Sequence, residues 1–410
     1  MRILYIHQFF ATRESDLGLI RSYEFSRRWV EQGHDVTVVT SSSRLPAEYQ
    51  EHVFSRGDVE GIDVRSVRVT YSNYMSYTRR IWSFLLFTAG ATWIAMRAPK
   101  PDVVFATSTP LTVAVPGYLC ARLRGVPFVL EIRDLWPEAA IQMGALRRTG
   151  VLARGAKALE RYLYRHSERL IGLSPGMVEG MLADGAPADR VTMVPNCADL
   201  DLFQPGPKDA DLVARYGLEG RFVVGYTGAI GPSNAVEAIV PQAAKALRDR
   251  GRDDIVFLIA GDGRSVPALR EMVERDGLHN VILAGSVPKA EVPRITRTAD
   301  LLMTLFADVR ILATNSPNKF FDGLASGRPM IVNSAGWTKD LVEKNDAGVY
   351  VPATDGEALA DAIERLADDP EARARMGAHA RALADRDFGR DAAAEEVLGA
   401  LRDASEQRRR

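Results

Sequence analysis

A lysine and a carboxylate stand three residues apart in the stretch SPNKFFDGLASGRPMIVN, residues 316–333. Pro317 predicts the start of a helix, because its fixed φ suits the first helical position, where no backbone N–H is needed. The amides of Asn318, Lys319 and Phe320 would then face outward from the helix start, where partial positive charge collects. Together with the Lys319 ammonium group they favour an anion such as a diphosphate.

Asp322 lies about one turn further into the same predicted helix. A carboxylate does not favour a neighbouring anion, so we expect Asp322 to accept hydrogen bonds from neutral hydroxyl groups, such as those of a ribose. This stretch alone leaves a second interpretation open. An acidic residue near a helix start also stabilises the helix by about 0.3–1 kcal/mol through the helix dipole.

Strand and helix patterns alternate along all 410 residues, a length that suits two domains of about 200 residues each. Continuous Val, Ile and Leu runs predict parallel strands that are covered on both faces. A turn-rich segment ending near Pro207 separates two such series, which predicts an α/β protein with two doubly wound domains. The predicted strands are 3–6, 35–40, 102–107, 127–132, 169–174 and 191–195, then 221–228, 254–263, 280–285, 300–305 and 329–333.

Ligands of parallel sheets bind beyond the carboxyl ends of the strands. In this sequence those ends carry small and polar residues, as a nucleotide site requires: His7-Gln8, Thr107-Ser108, 131–134 and Ser174 in the first half, and Thr227-Gly228, 261–263, 285–286 and 308–319 in the second. The first strand–helix turn lacks GxGxxG, and GxxxxGK[ST] is absent. These absences disfavour an NAD site and a P-loop.

The composition excludes several classes of partner. Lys and Arg number 52 and Asp and Glu 53, so the net charge of −1 gives no overall field for nucleic acid. The two cysteines, Cys120 and Cys197, form no CxxC or Cys/His cluster, which argues against a disulfide framework and a zinc site. The N-terminal residues do not resemble a signal peptide, so we expect a cytoplasmic setting.

Two segments could meet a membrane. The apolar run 81–96 has 16 residues, fewer than the roughly 20 that span a bilayer, and it is flanked by Arg79, Arg80, Arg97 and Lys100. It is either a helix buried against a sheet or one that dips into a membrane surface. The segment 151–165 is either a solvated surface helix or a lipid-binding one, whose basic stripe is Arg154, Lys157, Arg161 and Arg165.

Several motifs occur in a fixed order along the chain: HQFF, GLIRSYEFSRRWVEQGHDVTVVTS (18–41), ATSTPL, PFVLEIRDLWPE (127–138), VPNCAD, GYTGAIG, AGDG and SPNKFFDGLASGRPMIV. In this order they resemble the retaining GT-B glycosyltransferases of family 4, and most closely the bacterial cell-surface polysaccharide branch with the N-acetylfucosaminyl transferases. The resemblance implies two Rossmann-like domains facing across a cleft. Residues 1–205 would bind the acceptor, 206–386 the donor, and 387–410 would form a helix crossing back to the first domain.

The resemblance also assigns roles to residues of the donor site. Asp322 takes the place of the second glutamate of an E-x7-E pattern, the ribose ligand, whereas Thr314 stands where the first glutamate is expected and would offer a hydroxyl to the transferred sugar. The usual basic pair after GYTG is missing, since Asn234 stands near the expected lysine. Lys319, with Arg264 or Arg310, would then neutralise the diphosphate.

The remaining expected site residues come from loops. Gly18 resembles a glycine loop that approaches the donor, Gly228 ends the GYTG strand, and Ser286 with Val287 match a loop that contacts the base. Many relatives have His-Asp after the strand PFVLEI, where this chain has Arg133-Asp134. Arginine cannot act as a base, so we expect Arg133 and Asp134 to line the reacting centre. The alternative is a salt bridge from Arg133 to Asp134 or Glu138.

The resemblance implies that a hexose or amino sugar moves, with retention and without a metal or another cofactor, from a nucleoside-diphosphate sugar to a hydroxyl acceptor. We expect a UDP-sugar, an acceptor that is lipid-linked, an anionic membrane surface as a further partner, and no nucleic acid. The alternatives are glycosylation of a small molecule or natural product, a GT-B-like nucleotide-sugar epimerase, and a non-catalytic nucleotide-sugar-binding protein.

Overall fold

The computed structural model describes residues 1–12, 21–72, 75–108 and 110–408. The chain divides into two compact units, the first formed by Met1–Pro195 with Arg390–Arg410 and the second by Asn196–Gly389. Residues 196–205, which we assigned to the first domain from the sequence, lie in the second unit.

The sheet of the first unit has eight strands in the order β3-β4-β2-β1-β5-β6-β7-β8. Every described neighbouring pair is parallel except β3 and β4, which form a hairpin around Glu60 and Gly61, both with positive φ. Such a two-residue turn matches the twist of antiparallel strands. The strands are β1 Arg2–Ile6, β2 Asp35–Ser41, β3 Phe54–Val59, β4 Ile62–Val67, β5 Val103–Thr107, β6 Phe128–Ile132, β7 Arg169–Gly172 and β8 Val191–Met193.

The described residues before the second unit form these α-helices: α1 Arg21–Glu31, α2 Tyr77–Arg97, α3 Ala114–Arg124, α4 Glu138–Gln142, α5 Val151–His166 and α6 Pro175–Ala183. Without the antiparallel edge strand β3, the strands of this unit lie in the order β4-β2-β1-β5-β6-β7-β8. This order reverses direction between β1 and β5, the position at which doubly wound sheets bind ligands.

The second unit has six parallel strands in the order β11-β10-β9-β12-β13-β14, which reverses between β9 and β12. The strands are β9 Phe222–Thr227, β10 Ile255–Ala260, β11 Val281–Gly285, β12 Leu301–Thr304, β13 Met330–Val332 and β14 Gly348–Tyr350. The helices are α7 Ala210–Tyr216, α8 Val236–Asp249, α9 Val266–Arg275, α10 Val292–Thr298, α11 Asn318–Ala325, α12 Trp337–Lys344, α13 Gly356–Asp368 and α14 Pro370–Asp387. The α/β class predicted from the sequence is confirmed.

Two apolar layers cover the second sheet, because successive residues of a strand point to opposite faces. Val224 belongs to the cluster that contains Ile239 of α8, whereas its neighbour Val223 belongs to the cluster that contains Phe320 of α11. Phe320, Phe321 and Leu324 are fully buried. They anchor α11 against β12 and β13 and fix the position of its N-terminal end.

The last helix, α15 Arg390–Gln407, belongs to the first unit. The indole Nε1 of Trp29 on α1 donates to the carbonyl of Ala394 at 3.0 Å, and Val397, Leu398 and Leu401 are buried. These apolar residues of α15 therefore form a packing face. Among the helices that the structure describes, none is long and apolar enough to cross a membrane.

Candidate functional site

Loops of the second unit continue the strand pairing beyond the ends of β9, β10 and β11. The amide of Gly228 donates to the carbonyl of Ala260 at 2.9 Å, and the amide of Ile230 donates to the carbonyl of Asp262 at 3.0 Å. An ideal Cβ on Gly261 would lie 1.8 Å from the Gly228 carbonyl oxygen. Glycine is therefore required for this close approach, which packs the two loops into one backbone surface.

The N-terminal end of α11 lies at the same edge, with one difference from the expectation. Pro317 is the N-cap residue and not the first helical residue, so the helix begins at Asn318. The amide of Phe320 donates to the Pro317 carbonyl at 3.1 Å, and only the Asn318 and Lys319 amides of the expected three remain at the helix start. A helix start with two such amides still presents partial positive charge.

The side chain of Lys319 crosses from α11 to the end of β9. Its Nζ lies 2.5 Å from the Tyr226 hydroxyl and 4.1 Å from the centroid of that ring. The same Nζ is 3.1 Å from where a Cβ on Gly228 would stand. The ammonium group is thus held beside the loop that follows β9, through a contact between residues 93 positions apart.

The charge of Lys319 has no partner of opposite sign among the residues that the structure describes. Burial lowers the pKa of Lys319 to about 7. Tyr226 donates to the Ala229 carbonyl at 2.6 Å, and burial with the nearby Glu237 carboxylate raises the Tyr226 pKa. The phenol stays protonated and cannot neutralise the lysine. An anion that enters here would supply the missing charge.

A second arrangement of polar groups lies at the carboxyl edge of the sheet in the first unit. Arg21 Nε donates to Glu131 at 2.9 Å, Thr107 donates to the other oxygen of Glu131 at 2.9 Å, and the Tyr5 hydroxyl lies 2.8 Å from the Thr107 hydroxyl. The Arg21 guanidinium also donates to the Val194 and Pro195 carbonyls. Arg21 and Glu131 are buried and mutually neutralised, so they hold the strand ends together.

Cationic groups gather beside this network. Arg133 follows β6, and its amide donates to the Ser108 hydroxyl at 3.2 Å. His7 follows β1, and its Nδ1 lies 2.7 Å from the Ser22 hydroxyl. Burial, together with the positive charges of Arg133 and Arg44, lowers the pKa of His7 well below its ordinary value. The imidazole is therefore neutral at physiological pH.

Gln8 lies next to His7 and is completely buried. Neither atom of its side-chain amide has a hydrogen-bond partner among the described residues. Arg44, in the short turn Ser42–Arg44 after β2, places its guanidinium 4.9 Å from the Phe9 ring centroid. Since buried amides are normally hydrogen-bonded, this edge has spare capacity for a polar ligand.

Comparisons with known proteins agree with the division of the chain into two units. Residues 20–197 match the family model of a glycosyl transferase 4-like domain, and residues 221–369 match that of the glycosyl transferases group 1. The chain is 29% identical to the alpha-D-kanosaminyltransferase of Streptomyces kanamyceticus over 293 residues, which cover 70% of this chain and 73% of that one. The chain is a GT-B glycosyltransferase.

Two further comparisons place the enzyme among its relatives. It is 26% identical over 257 residues to the putative colanic acid biosynthesis glycosyl transferase WcaI of Escherichia coli, covering 60% of each chain. The Anabaena protein HepE, solved with UDP and glucose, superposes with a TM-score of 0.73 at 18% identity, covering 98% of this chain and 99% of that one. The predicted GT-B fold is confirmed. The N-acetylfucosaminyl branch stays a prediction.

The other residues predicted to bind the donor differ in their exposure in the glycosyltransferase. Arg264 and Ser286 are exposed in the loops after β10 and β11, and Val287 packs partly against the core. The hydroxyl of Thr314 donates to the Ile311 carbonyl at 2.7 Å, within the turn Arg310–Thr314. Asp322 is partly buried on α11, three residues beyond Lys319. Gly18 lies outside the described residues.

Other contacts refine the expectations. Asn234, near the position of the missing lysine, points its amide nitrogen to the Leu305 carbonyl at 3.4 Å, and Arg310 is exposed. Glu138 pairs with Arg148 at 2.7 Å, so the structure does not show the alternative in which Arg133 pairs with Glu138.

Tyr226 and Arg44 are site residues that we did not predict. Tyr226 is the last residue but one of β9, and Arg44 lies in the turn that follows β2. Proximity to the carboxyl end of a strand is the signal that could have found them.

No group of three or more His, Cys, Asp and Glu side chains among residues 1–12, 21–72, 75–108 and 110–408 could hold a metal ion. Asp199 and Asp201, two carboxylates separated by one residue, form an Asp-x-Asp pair of the kind that can bind a metal, but no third ligand of this kind joins them in the described chain. Asp199 instead accepts from the Leu202 amide at 3.2 Å, within its own turn.

Proposed function

We propose that this glycosyltransferase is a retaining enzyme that moves a hexose or amino sugar from a UDP-sugar to a hydroxyl acceptor in cell-surface polysaccharide biosynthesis. The proposal depends mainly on the environment of Lys319. This cation has no carboxylate partner among the described residues, and it lies at a helix start beside the loop that follows β9. The UDP and glucose bound in the Anabaena structure support a nucleotide-sugar donor. The colanic acid relative supports the polysaccharide role.

The cation and the helix amides suit the charge that develops during transfer. When the bond between the sugar C1 and the β-phosphate oxygen breaks, negative charge grows on the diphosphate, and Lys319 with the Asn318 and Lys319 amides stabilises it. The acceptor oxygen bonds to C1 on the same face, and its proton passes to the departing phosphate oxygen. The anomeric configuration is retained, and neither a protein base nor a metal is needed.

Asp322 binds the ribose in this proposal. The side chain is partly exposed on the helix that carries Lys319. A carboxylate this near a diphosphate is tolerated when it accepts hydrogen bonds from neutral hydroxyl groups, because these bonds stabilise its charged form. Thr314 lies eight residues earlier and offers its hydroxyl oxygen to the transferred sugar.

The first unit supports an acceptor that carries phosphate. Arg44 and Arg133 both act electrostatically on His7, and the unsatisfied amide of Gln8 lies next to it. Guanidinium groups bind phosphate through several hydrogen bonds and repel protonated amines. A lipid-linked sugar diphosphate at the inner face of the membrane satisfies these groups. The kanosaminyltransferase relative favours a second candidate, the glycosylation of a natural product by the same chemistry.

The donor assignment is tested by nucleotide release from UDP-, GDP- and dTDP-sugars with a cell-envelope extract as acceptor, with and without EDTA. We expect turnover with a UDP-sugar, unchanged by EDTA. The anomeric configuration of the product reports retention. An inverted product, epimerised donor without transfer, or donor binding without any turnover would each overturn the proposal.

The acceptor assignment is tested with an alkyl diphosphate-linked amino sugar, the matched alkyl glycoside without the diphosphate, and an aminocyclitol. We expect transfer to the diphosphate acceptor alone. Arg133→Ala should lower turnover on it by about 10–100-fold with little change in thermal midpoint. Transfer to the aminocyclitol at the higher rate would favour the natural-product role. A large stability loss with intact activity per folded molecule would make Arg133 a structural residue.

A further inference from the structure

Helix α2 turns one face to the core of the first unit and the opposite face to solvent. Ser83, Phe87, Ala91 and Ile94 are buried, where α2 packs against α3, β2 and β4. The interpretation that this helix lies on a sheet is therefore right for one side of it. The other side requires a separate explanation.

The solvent face of α2 is apolar. Trp82 is 65% exposed, Leu86 59% and Trp93 44%, and Leu85 beside them is 49% exposed. With exposed Ala89 they form a stripe at helical spacing, about 16 Å long from Trp82 to Trp93. Large apolar residues that form a continuous exposed patch mark an interaction surface, whereas scattered ones do not.

The patch extends beyond the helix. The ring of Phe54, at the start of β3, stacks on Trp93 with centroids 4.4 Å apart, and both Phe54 and its neighbour Val53 are exposed. Leu119 and Leu123 are exposed on α3, which packs beside α2. We call the set Val53, Phe54, Trp82, Leu85, Leu86 and Trp93 the α2 patch.

Cations flank the α2 patch. Residues 64–101 contain no Asp or Glu, but they contain Arg68, Arg79, Arg80, Arg97 and Lys100, together with Arg65, which pairs with Asp63 at 2.8 Å. Arg79 and Arg97 are exposed near the two ends of α2, and the Arg97 guanidinium lies 4.2 Å from the Trp93 ring centroid. Tryptophan and arginine around an apolar centre are typical of helices that lie in the membrane interface.

A second copy of the chain fits this surface poorly. Two α2 faces in antiparallel contact would bring Arg79 of one copy near Arg97 of the other, without a nearby carboxylate in residues 64–101 to neutralise them. Anionic lipid supplies the opposite charge at the ends of the helix and an apolar layer for its centre.

The basic stripe of α5 is a weaker candidate than the sequence indicated. Lys157 pairs with Asp184 and, at 2.7 Å, with Glu160, and Arg161 lies 3.5 Å from Asp184. Two of the four cations of the stripe are therefore already neutralised. The apolar residues at the start of the helix, Val151 and Leu152, are exposed and provide a matched control surface.

We propose that the α2 patch docks the first unit on an anionic lipid surface, with α2 lying in the interface. The proposal is independent of the sugar transferred, and its failure would leave the donor chemistry untouched. The probe is co-sedimentation of the full chain with vesicles of phosphatidylcholine and phosphatidylglycerol in equal amounts, compared with phosphatidylcholine alone. We expect binding to the anionic vesicles at low salt and a decrease at high salt.

The double variant Trp82→Glu with Leu86→Glu should weaken vesicle binding by about tenfold or more, because it places carboxylates in the apolar centre. The matched double variant Val151→Glu with Leu152→Glu should bind like wild type. Both should keep their thermal midpoint and their transfer to a soluble acceptor. Absence of vesicle binding, equal loss in the control, or a wild-type dimer that dissociates in the Trp82 variant would each overturn the proposal.

Discussion

Arg21 and Lys319 are cations at the carboxyl edge of a parallel sheet, one in each unit. Arg21 forms an ion pair with a carboxylate, whereas Lys319 has no carboxylate partner among the described residues. Arg21 and Glu131 have side-chain exposures of 3% and 1%, and the guanidinium also donates to two carbonyls. Lys319 has three N–H donors, and the hydrogen bond recorded for it among the described residues goes to the Tyr226 hydroxyl.

The difference separates a cation that holds the fold from one that awaits a ligand. A buried cation that is paired with a carboxylate, and whose three nitrogens each donate to the protein, is committed to the fold. The loss of such a cation leaves an uncompensated buried charge. A lysine with spare N–H donors and a lowered pKa has no counter-charge in the free protein. A bound anion supplies that counter-charge and favours the protonated form of the lysine. The substitutions below test this distinction.

The largest effect is expected at the paired cation. Arg21→Ala leaves Glu131 buried without its partner, so the free energy of unfolding should fall by about 3–5 kcal/mol in chemical denaturation. The exposed pair Arg148–Glu138 is the control, and Arg148→Ala should leave stability nearly unchanged. If Arg21→Ala kept its stability but lost transfer activity, Arg21 would be a substrate-binding residue and the comparison would fail.

Lys319→Met should lower ligand affinity and leave stability nearly unchanged, the opposite of what we expect for Arg21→Ala. We expect UDP affinity to fall by about 10–150-fold, or ~1.5–3 kcal/mol, with uridine affinity and stability nearly unchanged. Lys339 is a matched control, because its Nζ also lies against a tyrosine ring, 4.2 Å from the Tyr350 centroid, but at the end of β14 and not of β9. Calorimetric titration of Lys339→Met should reproduce wild-type UDP binding. Equal losses for uridine and UDP in Lys319→Met would refute the phosphate role.

The substitution Asp322→Asn tests whether Asp322 binds the ribose of the donor. The variant should fold normally and bind UDP about tenfold more weakly, because an amide accepts hydrogen bonds from the ribose less strongly than a carboxylate does. The wild-type enzyme should bind 2′,3′-dideoxy-UDP with a comparable loss. If the dideoxy nucleotide bound wild type as tightly as UDP, the ribose assignment would be wrong.

The smallest effect concerns pH. With a Lys319 pKa of about 7, the protonated fraction in the free enzyme drops between about pH 7 and about pH 8, so UDP affinity should fall about fivefold, or ~1 kcal/mol. The sign follows because the anion binds the charged form, so UDP binding above pH 7 takes up a proton. Lys319→Met should remove this dependence. A wild-type affinity that is flat across this range would show that Lys319 is already charged.

The sequence predicted most of the fold, because buried parallel strands are continuous apolar runs. It missed β3 and β4, whose residues alternate in exposure, and β14, which has three residues. Lys319 and Asp322 were selected from a local helix-start signal, and their ligand-binding roles stay predictions. The Tyr226 contact and the close approach of Gly261 to Gly228 depend on tertiary packing between distant segments, and no local pattern encodes them.

The central claim is that Lys319 is the cation that receives the donor diphosphate. NMR titration of the enzyme with isotope-labelled lysine, assigned with Lys319→Met, measures the pKa of this group directly. The account predicts a pKa near 7 in the free enzyme, an increase when UDP is added, and no change with uridine. A pKa near the ordinary lysine value without ligand, or one that UDP does not raise, would contradict it.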